Sequence, residues 1–258
     1  MNTVFIVLDT VRKDRISVYN DEIDFTPNLE NFAEDATVFQ DAVSQAPWTL
    51  PSHASMFTGK YPWEHDATQK QLYLDTDQEL LAEKFENQGY VTGCFTSNTW
   101  ISPYTGMAKG FQQIDNFFGA LPNNLMSKKS EKVWRWLNTG KAEWLMNKIV
   151  KIGEKIHWMT AGMNASTKTP KVVNKAKSFV EDNREDDFFL FLNFMDAHLP
   201  YYPPEEYRKS HAPDVDPKEV CQEAHDHNGE AAEADFEASK KLYDAEIVFL
   251  DDQLGKLF

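Results

Sequence analysis

The chain has 258 residues, of which 41% are apolar and 13% aromatic, so it can bury a core and is not a disordered segment. Its 26 Lys and Arg stand against 41 Asp and Glu, and the formal net charge of −15 argues against a nucleic-acid partner. Two cysteines do not indicate a disulfide framework, and no apolar run reaches the roughly 18 residues of a membrane span. Because the first apolar run begins at Val4, we expect no signal peptide and a cytoplasmic protein.

Continuous apolar runs alternate with helical patterns along the chain. Residues 3–8, 90–96 and 188–194 are typical of strands buried on both faces of a parallel sheet, and residues 37–44 are also predicted as a strand. Amphipathic spacing predicts helices over 27–34, 77–88, 169–183 and from Asp235 onward, the first of them capped by Thr26. The sequence therefore predicts an α/β fold, a mostly parallel sheet sandwiched by helices.

Three polar side chains follow the predicted buried strands. In open α/β sheets, ligands bind beyond the carboxyl ends of the strands. Asp9 comes directly after the first strand, where a carboxylate is a candidate ligand for a hard cation or an N-cap for the segment that follows. Asn98 follows the second strand and is either a substrate-binding or a turn residue. His198 follows the last strand and can donate a hydrogen bond to an anionic oxygen.

Residues 46–62, APWTLPSHASMFTGKYP, contain a candidate nucleophile. Pro51 near the start and Gly59 at the end bound a short helix, which places Thr49 at the helix N-terminus. The free N–H groups and the helix dipole favour an anion there. A hydroxyl in that position is a candidate nucleophile toward a phosphate or sulfate ester, and the alternative is an ordinary N-cap threonine.

Four segments in order carry a resemblance to the sulfatase family of the alkaline phosphatase superfamily. They are TVFIVLD at 3–9, TPNLENF at 26–32, TLPSHASMFTGKYP at 49–62 and FMDAHLPY at 194–201. The resemblance covers nearly the whole chain. It implies an alkaline-phosphatase-like catalytic domain over residues 1–258, acting as a hydrolase or transferase on phosphate or sulfate esters.

The chain departs from the family pattern at three positions. Thr49 stands where the family has the Cys or Ser that becomes formylglycine, His53 replaces an Arg, and Thr10 replaces a second Asp. The resemblance to members with a Thr nucleophile therefore implies direct attack by Thr49 and no formylglycine. It also implies one or two divalent metal ions (Ca, Mg, Mn or Zn) held by Asp9 and Thr49.

The resemblance also assigns residues to the substrate. His198, and with it His53, would stabilise charge on the transferred group. The positions of three further residues, and not the resemblance, make them candidates to bind the anionic ester together with His198. They are Asn98 and, directly after the nucleophile segment, Lys60 and His65, with an ordinary exposed lysine as the alternative for Lys60.

The family's strand with the remaining Asp and His metal ligands has no counterpart before Phe258. The alternative hypothesis is therefore a truncated, catalytically incomplete domain that acts as a binding module or is a gene fragment. Residues 225–227, His-Asp-His, are a candidate metal cluster, and the run 226–230 resembles the family's Asp-His-Gly-Glu metal motif. An extra Asn interrupts that run, however, and no apolar strand precedes it. We interpret them as a solvated loop.

Residues 127–158 break the acidic pattern. They carry eight Lys or Arg, three Glu and four Trp, and they lie in a predicted helical insertion or cap over 120–168. The alternatives are a cap that packs on the main sheet, a peripheral membrane contact, or a guide for a lipid-linked anionic substrate.

Overall fold

The computed structural model describes residues 1–117, 168–220 and 233–258. The chain forms two compact units. The first comprises Met1–Val7, Ala42–Ile156 and Asn174–Phe194, and the second comprises Leu8–Asp41, His157–Val173 and Met195–Phe258. Nearly all of the predicted insertion, the whole basic segment 127–158 and the motif at 225–227 lie outside the described residues.

A four-stranded sheet forms the framework of the first unit. Its strands are β1 (Thr3–Leu8), β2 (Val91–Thr96), β3 (Gln113–Asn116) and β4 (Phe188–Phe194), in the order β1-β4-β2-β3. Strand β2 runs parallel to both β3 and β4, with Val91 opposite Phe188 and Gly93 opposite Gln113. The predicted α/β fold with a mostly parallel sheet is confirmed.

Seven α-helices accompany the sheet in the described parts of the chain. They are α1 (Pro27–Glu34), α2 (Thr49–Thr58), α3 (Pro62–His65), α4 (Leu81–Asn87), α5 (Lys168–Asp182), α6 (Glu205–His211) and α7 (Glu233–Leu254). Short 3-10 turns occur at Lys13–Arg15, Ser17–Tyr19 and Pro103–Thr105. None of the helices in these ranges is both long enough and apolar enough to cross a bilayer.

One local prediction was wrong and another was confirmed only in part. Residues 37–44 contain no strand, and Phe39 and Val43 are 71% and 78% exposed, so the apolar side chains there have no core to pair against. Thr26 stands at the N-cap position of α1, as expected, but its side chain makes no capping hydrogen bond. The first N–H groups of α1 donate instead to the buried carboxylate of Asp251 on α7, from Asn28 and Leu29 at 2.9 Å each.

Phe191 on β4 lies at the centre of the core of the first unit. Its ring meets the rings of Phe5, Phe57 and Phe111 at centroid distances of 5.5, 5.0 and 6.2 Å. Edge-to-face and tilted contacts of this kind add to the free energy gained from burying the ring. Through Phe57, this side chain helps to join the sheet to helix α2, which carries Thr49.

Replacing Phe191 by Ala should lower the free energy of unfolding by about 3–5 kcal/mol, because it removes a fully buried ring and leaves a cavity. Urea unfolding followed by fluorescence measures the change. Phe39→Ala, the same substitution at an exposed position, is the matched control and should change it by less than about 0.5 kcal/mol. Equal effects of the two substitutions would contradict this account of the core.

Candidate active site

Thr49 is the first residue of helix α2. Trp48 before it is extended, with φ −150° and ψ 165°, and Gly59 ends the helix in the left-handed region at φ 70°. The predicted helix, with its Pro near the start and Gly at the stop, is confirmed. The Thr49 side chain is partly exposed. In this first turn Pro51 has no N–H group and the Ser52 N–H donates to the Trp48 carbonyl oxygen at 3.3 Å, so an anion placed beside Thr49 would mainly meet the positive end of the helix dipole.

A buried hydrogen-bond chain in the first unit leads from the sheet to Thr49. The Thr96 hydroxyl donates to Asn193 Oδ1 at 3.0 Å, and Asn193 Nδ2 faces His53 Nε2 at 3.5 Å. His53 Nδ1 lies 2.9 Å from the carbonyl oxygen of Thr49. Because the Asn193 amide donates to Nε2, the His53 ring carries its proton on Nδ1. This N–H group donates a hydrogen bond to the Thr49 carbonyl oxygen. His53 thus holds the start of α2 against the end of β4.

Asn193 is the polar exception in β4, whose other residues are Phe or Leu. It is 0% exposed, and a buried amide without partners would cost free energy. Thr96 and His53 supply those partners. The sequence marked Asn193 as the one break in an apolar run, but the run alone does not reveal which helix the amide faces.

Asp9 and His198 belong to the second unit, where Thr10 joins the segments that carry them. The Thr10 hydroxyl donates to the carbonyl oxygen of Ala197 at 2.6 Å, and the Asp9 carbonyl oxygen lies 2.7 Å from the same hydroxyl. Thr10 and Ala197 both adopt positive φ, at 60° and 79°. Non-glycine residues in this region are strained and persist where the surroundings enforce them. The turns after β1 and β4 are therefore held in one specific arrangement.

Helix α7 holds both turns from one face. Tyr243 donates from its hydroxyl to the Thr10 carbonyl at 2.8 Å and accepts from the Arg12 N–H at 2.8 Å. One turn further on, the Glu246 carboxylate accepts from the N–H groups of Ala197 at 2.9 Å and Tyr202 at 2.7 Å. Glu246 therefore clamps both ends of the loop that carries His198. Helical spacing indicated that this helix was amphipathic but not that Tyr243 and Glu246 bind these turns.

His198 is exposed at the top of that loop. Its Nδ1 donates to the Leu199 carbonyl oxygen at 2.6 Å, and its own N–H donates to the Met195 carbonyl at 3.0 Å. With Nδ1 occupied, Nε2 is the ring atom that can meet a ligand. The substrate contact expected of His198 stays a prediction.

Two carboxyl groups are buried beneath the loop. Burial raises the pKa of Asp196 to about 7, against the opposing charge of the Lys168 ammonium. The pKa of Glu246 lies well above its usual range because of burial and of the nearby Asp196 carboxylate. Thr169 also donates its hydroxyl to Asp196. Two like charges this close do not both ionise easily, so the pair retains a proton at pH values where an exposed carboxyl has lost it.

The Asp196→Asn variant should show a weaker pH dependence of stability than the parent protein. A carboxyl whose pKa is raised on folding contributes stability below its unfolded pKa, about 4 for Asp, and that stability is lost as the pH rises through the folded value of about 7. Urea unfolding at several pH values across that window measures the difference. Parallel curves for parent and variant would contradict the assignment, and Asp75→Asn, at an exposed position, is the control.

The structure does not favour a substrate contact for three of the other predicted residues. Asn98 is 2% exposed, and its Oδ1 accepts the Trp100 N–H at 2.9 Å as a turn residue. Lys60 lies just beyond the C-terminal end of α2, whereas Thr49 begins the helix. The two ends of a ten-residue helix are about 15 Å apart. His65 is buried between the Ser55 hydroxyl and the Ala67 N–H, both at 3.1 Å, and burial lowers its pKa.

The described residues do not make a metal centre by themselves. Across residues 1–117, 168–220 and 233–258, no group of three His, Cys, Asp or Glu side chains is arranged to hold an ion. Asp9 offers one carboxylate, whereas a hard divalent cation takes six or more oxygen ligands. The described residues therefore do not by themselves fit the divalent metal that the resemblance implies. No step of the proposed reaction depends on a metal.

Comparison with known proteins decides the family. A family model described as Sulfatase matches residues 1–258. The chain belongs to the sulfatase family. An N-acetylgalactosamine-6-O-sulfatase of Bacteroides thetaiotaomicron is 25% identical over 255 residues, covering 78% of this chain and 49% of its own length. An arylsulfatase of Clostridium perfringens is 27% identical over 222 residues, covering 80% of this chain and 45% of its own length.

A solved relative shares the fold. The crystal structure of a phosphonate monoester hydrolase of Agrobacterium radiobacter matches with a TM-score of 0.66 at 18% identity, covering 99% of this chain and 58% of that one. The resemblance to the sulfatase family and the alkaline-phosphatase-like fold are thus confirmed. The chain spans about half the length of the curated relatives it matches.

Proposed function

We propose that the whole protein hydrolyses or transfers a phosphate or sulfate ester, with Thr49 as the nucleophile. The observation that carries the proposal is the position of Thr49, a partly exposed residue that begins α2. The family of the chain and the names of its relatives, two sulfatases and a phosphonate monoester hydrolase, support an ester of a tetrahedral anion as the substrate.

The reaction balances as two displacements. The Thr49 hydroxyl gives up its proton as its oxygen bonds to phosphorus or sulfur, and the alcohol of the ester leaves with the electron pair of the broken bond and takes up that proton. Water then attacks the covalent ester on Thr49 and releases the free anion, or a second alcohol attacks it and completes a transfer. The positive end of the α2 dipole would stabilise the negative oxygens of the transferred group.

We assign different tasks to the two histidines. His198 is exposed and has Nε2 available, but because Nδ1 donates to Leu199, Nε2 donates to an anionic oxygen only in the imidazolium form. His53 directs one ring nitrogen to Thr49 and the other to Asn193, so we propose that it orients the Thr49 backbone. This role replaces the direct substrate contact expected from the resemblance.

The remaining elements of the proposal come from the resemblance. We propose that Asp9 is a ligand of a divalent metal that the whole protein binds with further residues. A cytoplasmic location, and contact of residues 127–158 with a membrane surface or a lipid-linked substrate, also remain proposals. The second candidate function is a domain that binds such esters without turning them over.

The Thr49→Ala variant should lose at least about a thousandfold in kcat/KM, because no hydroxyl remains to attack, whereas Thr49→Ser should retain activity within about tenfold. Hydrolysis of 4-nitrophenyl phosphate, bis(4-nitrophenyl) phosphate and 4-nitrophenyl sulfate, with Mg, Ca, Mn or Zn added in turn, provides the measurement.

Thr58→Ala is the matched control, because Thr58 lies at the other end of the same helix and donates its hydroxyl to the Ala54 carbonyl. It should leave the rate unchanged. Full activity of Thr49→Ala would refute the nucleophile, and binding of esters without turnover by the parent would favour the second candidate function.

A further inference from the structure

A cavity of about 290 Å³ lies within the second unit. The described residues that line it combine three cations with three aromatic rings. The cations are Arg12, Arg15 and Lys240, and the rings belong to Tyr201, Phe236 and Tyr243. Neither the proposed ester chemistry nor the comparisons assign a role to this cavity.

Ion pairs hold the two guanidinium groups of the cavity in place. Arg12 donates two hydrogen bonds to Asp14, at 2.9 and 2.8 Å, and Arg15 donates from two nitrogens to Asp244. A guanidinium has five N–H donors, so each retains donors after its carboxylate is bound. Ion pairing thus sets their orientation before any ligand arrives.

The local charge of the cavity opposes that of the whole chain. Three cations and their two carboxylate partners leave one net positive charge, whereas the chain carries −15. Lys240, exposed on α7, supplies that excess charge. Most of the acidic surface would repel an anionic ligand, whereas the cavity would attract it. This difference in charge favours binding of an anion at the cavity.

The aromatic side chains supply apolar surface to the wall of the cavity. The rings of Tyr201 and Tyr243 pack edge to face at 5.5 Å, and Phe236 is 54% exposed. Aromatic faces bind apolar ring surfaces, and positioned cations fix the charged substituent of the same ligand. The lining therefore fits a ring that carries an anionic group, and the volume suffices for about one such ring.

The cavity adjoins the segments of Asp9 and His198. Thr10, which also lines it, follows Asp9 directly and donates to Ala197. Tyr201 lies three residues after His198 on the loop that Glu246 clamps. The remaining part of a substrate that contacts His198 would therefore extend toward Arg12 and Lys240.

We propose that this cavity binds a second anionic group of the substrate, carried on a ring next to the ester that reacts. The location of the reacting ester rests on the proposed function, but the preference of the cavity for an anionic ring does not. The protein would then select polyanionic ring compounds over simple esters with a single charge.

Glucuronate is the probe for this proposal, because it combines a ring with a carboxylate and contains no phosphate or sulfate ester. Glucose offers the ring without the charge, and acetate offers the charge without the ring. Each of the three compounds is titrated into the full chain, and NMR follows the backbone amide chemical shifts of the second unit. The shifts give the dissociation constant of each compound. Glucuronate should bind at least about tenfold more tightly than glucose or acetate, with shifts centred on residues 10–15 and 236–243.

Two neighbouring lysines on α7 provide a matched pair of variants. Lys240→Gln removes the excess positive charge of the cavity and should weaken glucuronate binding about fivefold or more. Lys241→Gln makes the same change at the next position, which is exposed but does not line the cavity, and should leave binding unchanged.

Three results would overturn the proposal. They are equal binding of glucuronate and glucose, shifts centred away from the cavity, and an undiminished affinity in Lys240→Gln. Because glucuronate cannot react at Thr49, these outcomes are independent of the kinetic test of Thr49. A failure of one proposal can therefore be distinguished from a failure of the other.

Discussion

The hydrogen bond from the Thr10 hydroxyl to the Ala197 carbonyl joins two parts of the chain that are 187 positions apart. Both residues have positive φ, a conformation that costs free energy for a side chain other than glycine. Helix α7 offsets that cost, because Tyr243 binds the Thr10 backbone and Glu246 binds both ends of the loop after β4. The positions of Asp9 and His198 are therefore set by a helix that contributes neither residue.

The same arrangement explains why two carboxyl groups are buried next to each other. Glu246 must be buried to reach the N–H groups of the loop, and Asp196 is buried at its base, where Thr169 and Lys168 compensate its polarity. Each desolvated carboxyl is costly unless it is hydrogen-bonded or protonated. In the first unit, the chain from Thr96 through Asn193 and His53 to Thr49 performs a similar positioning task without net charge.

Local patterns predicted most of the framework. The bounds of β1, β4 and α1 follow from apolar runs and a helix-starting Pro, and the α2 segment follows from its Pro and terminal Gly. Strand β3 was missed because it has four residues, three of them polar, and pairs with β2 over a stretch that only the fold brings together. The resemblance also named Thr49, Asp9 and His198 as candidate site residues, and their roles stay predictions. The partners of Asn193, Tyr243 and Glu246 could not be foreseen, since long-range contacts leave no local period.

Hydrogen exchange in the Thr10→Val variant tests most directly whether one hydroxyl joins the two turns. Mass spectrometry of the peptide that spans residues 195–202 reports the exchange of the Ala197 and Tyr202 amides, which donate to Glu246. The account predicts faster exchange in that peptide for Thr10→Val and unchanged exchange for Thr10→Ser, which keeps the hydroxyl. Faster exchange confined to the residues around Thr10, with 195–202 as protected as in the parent, would contradict it.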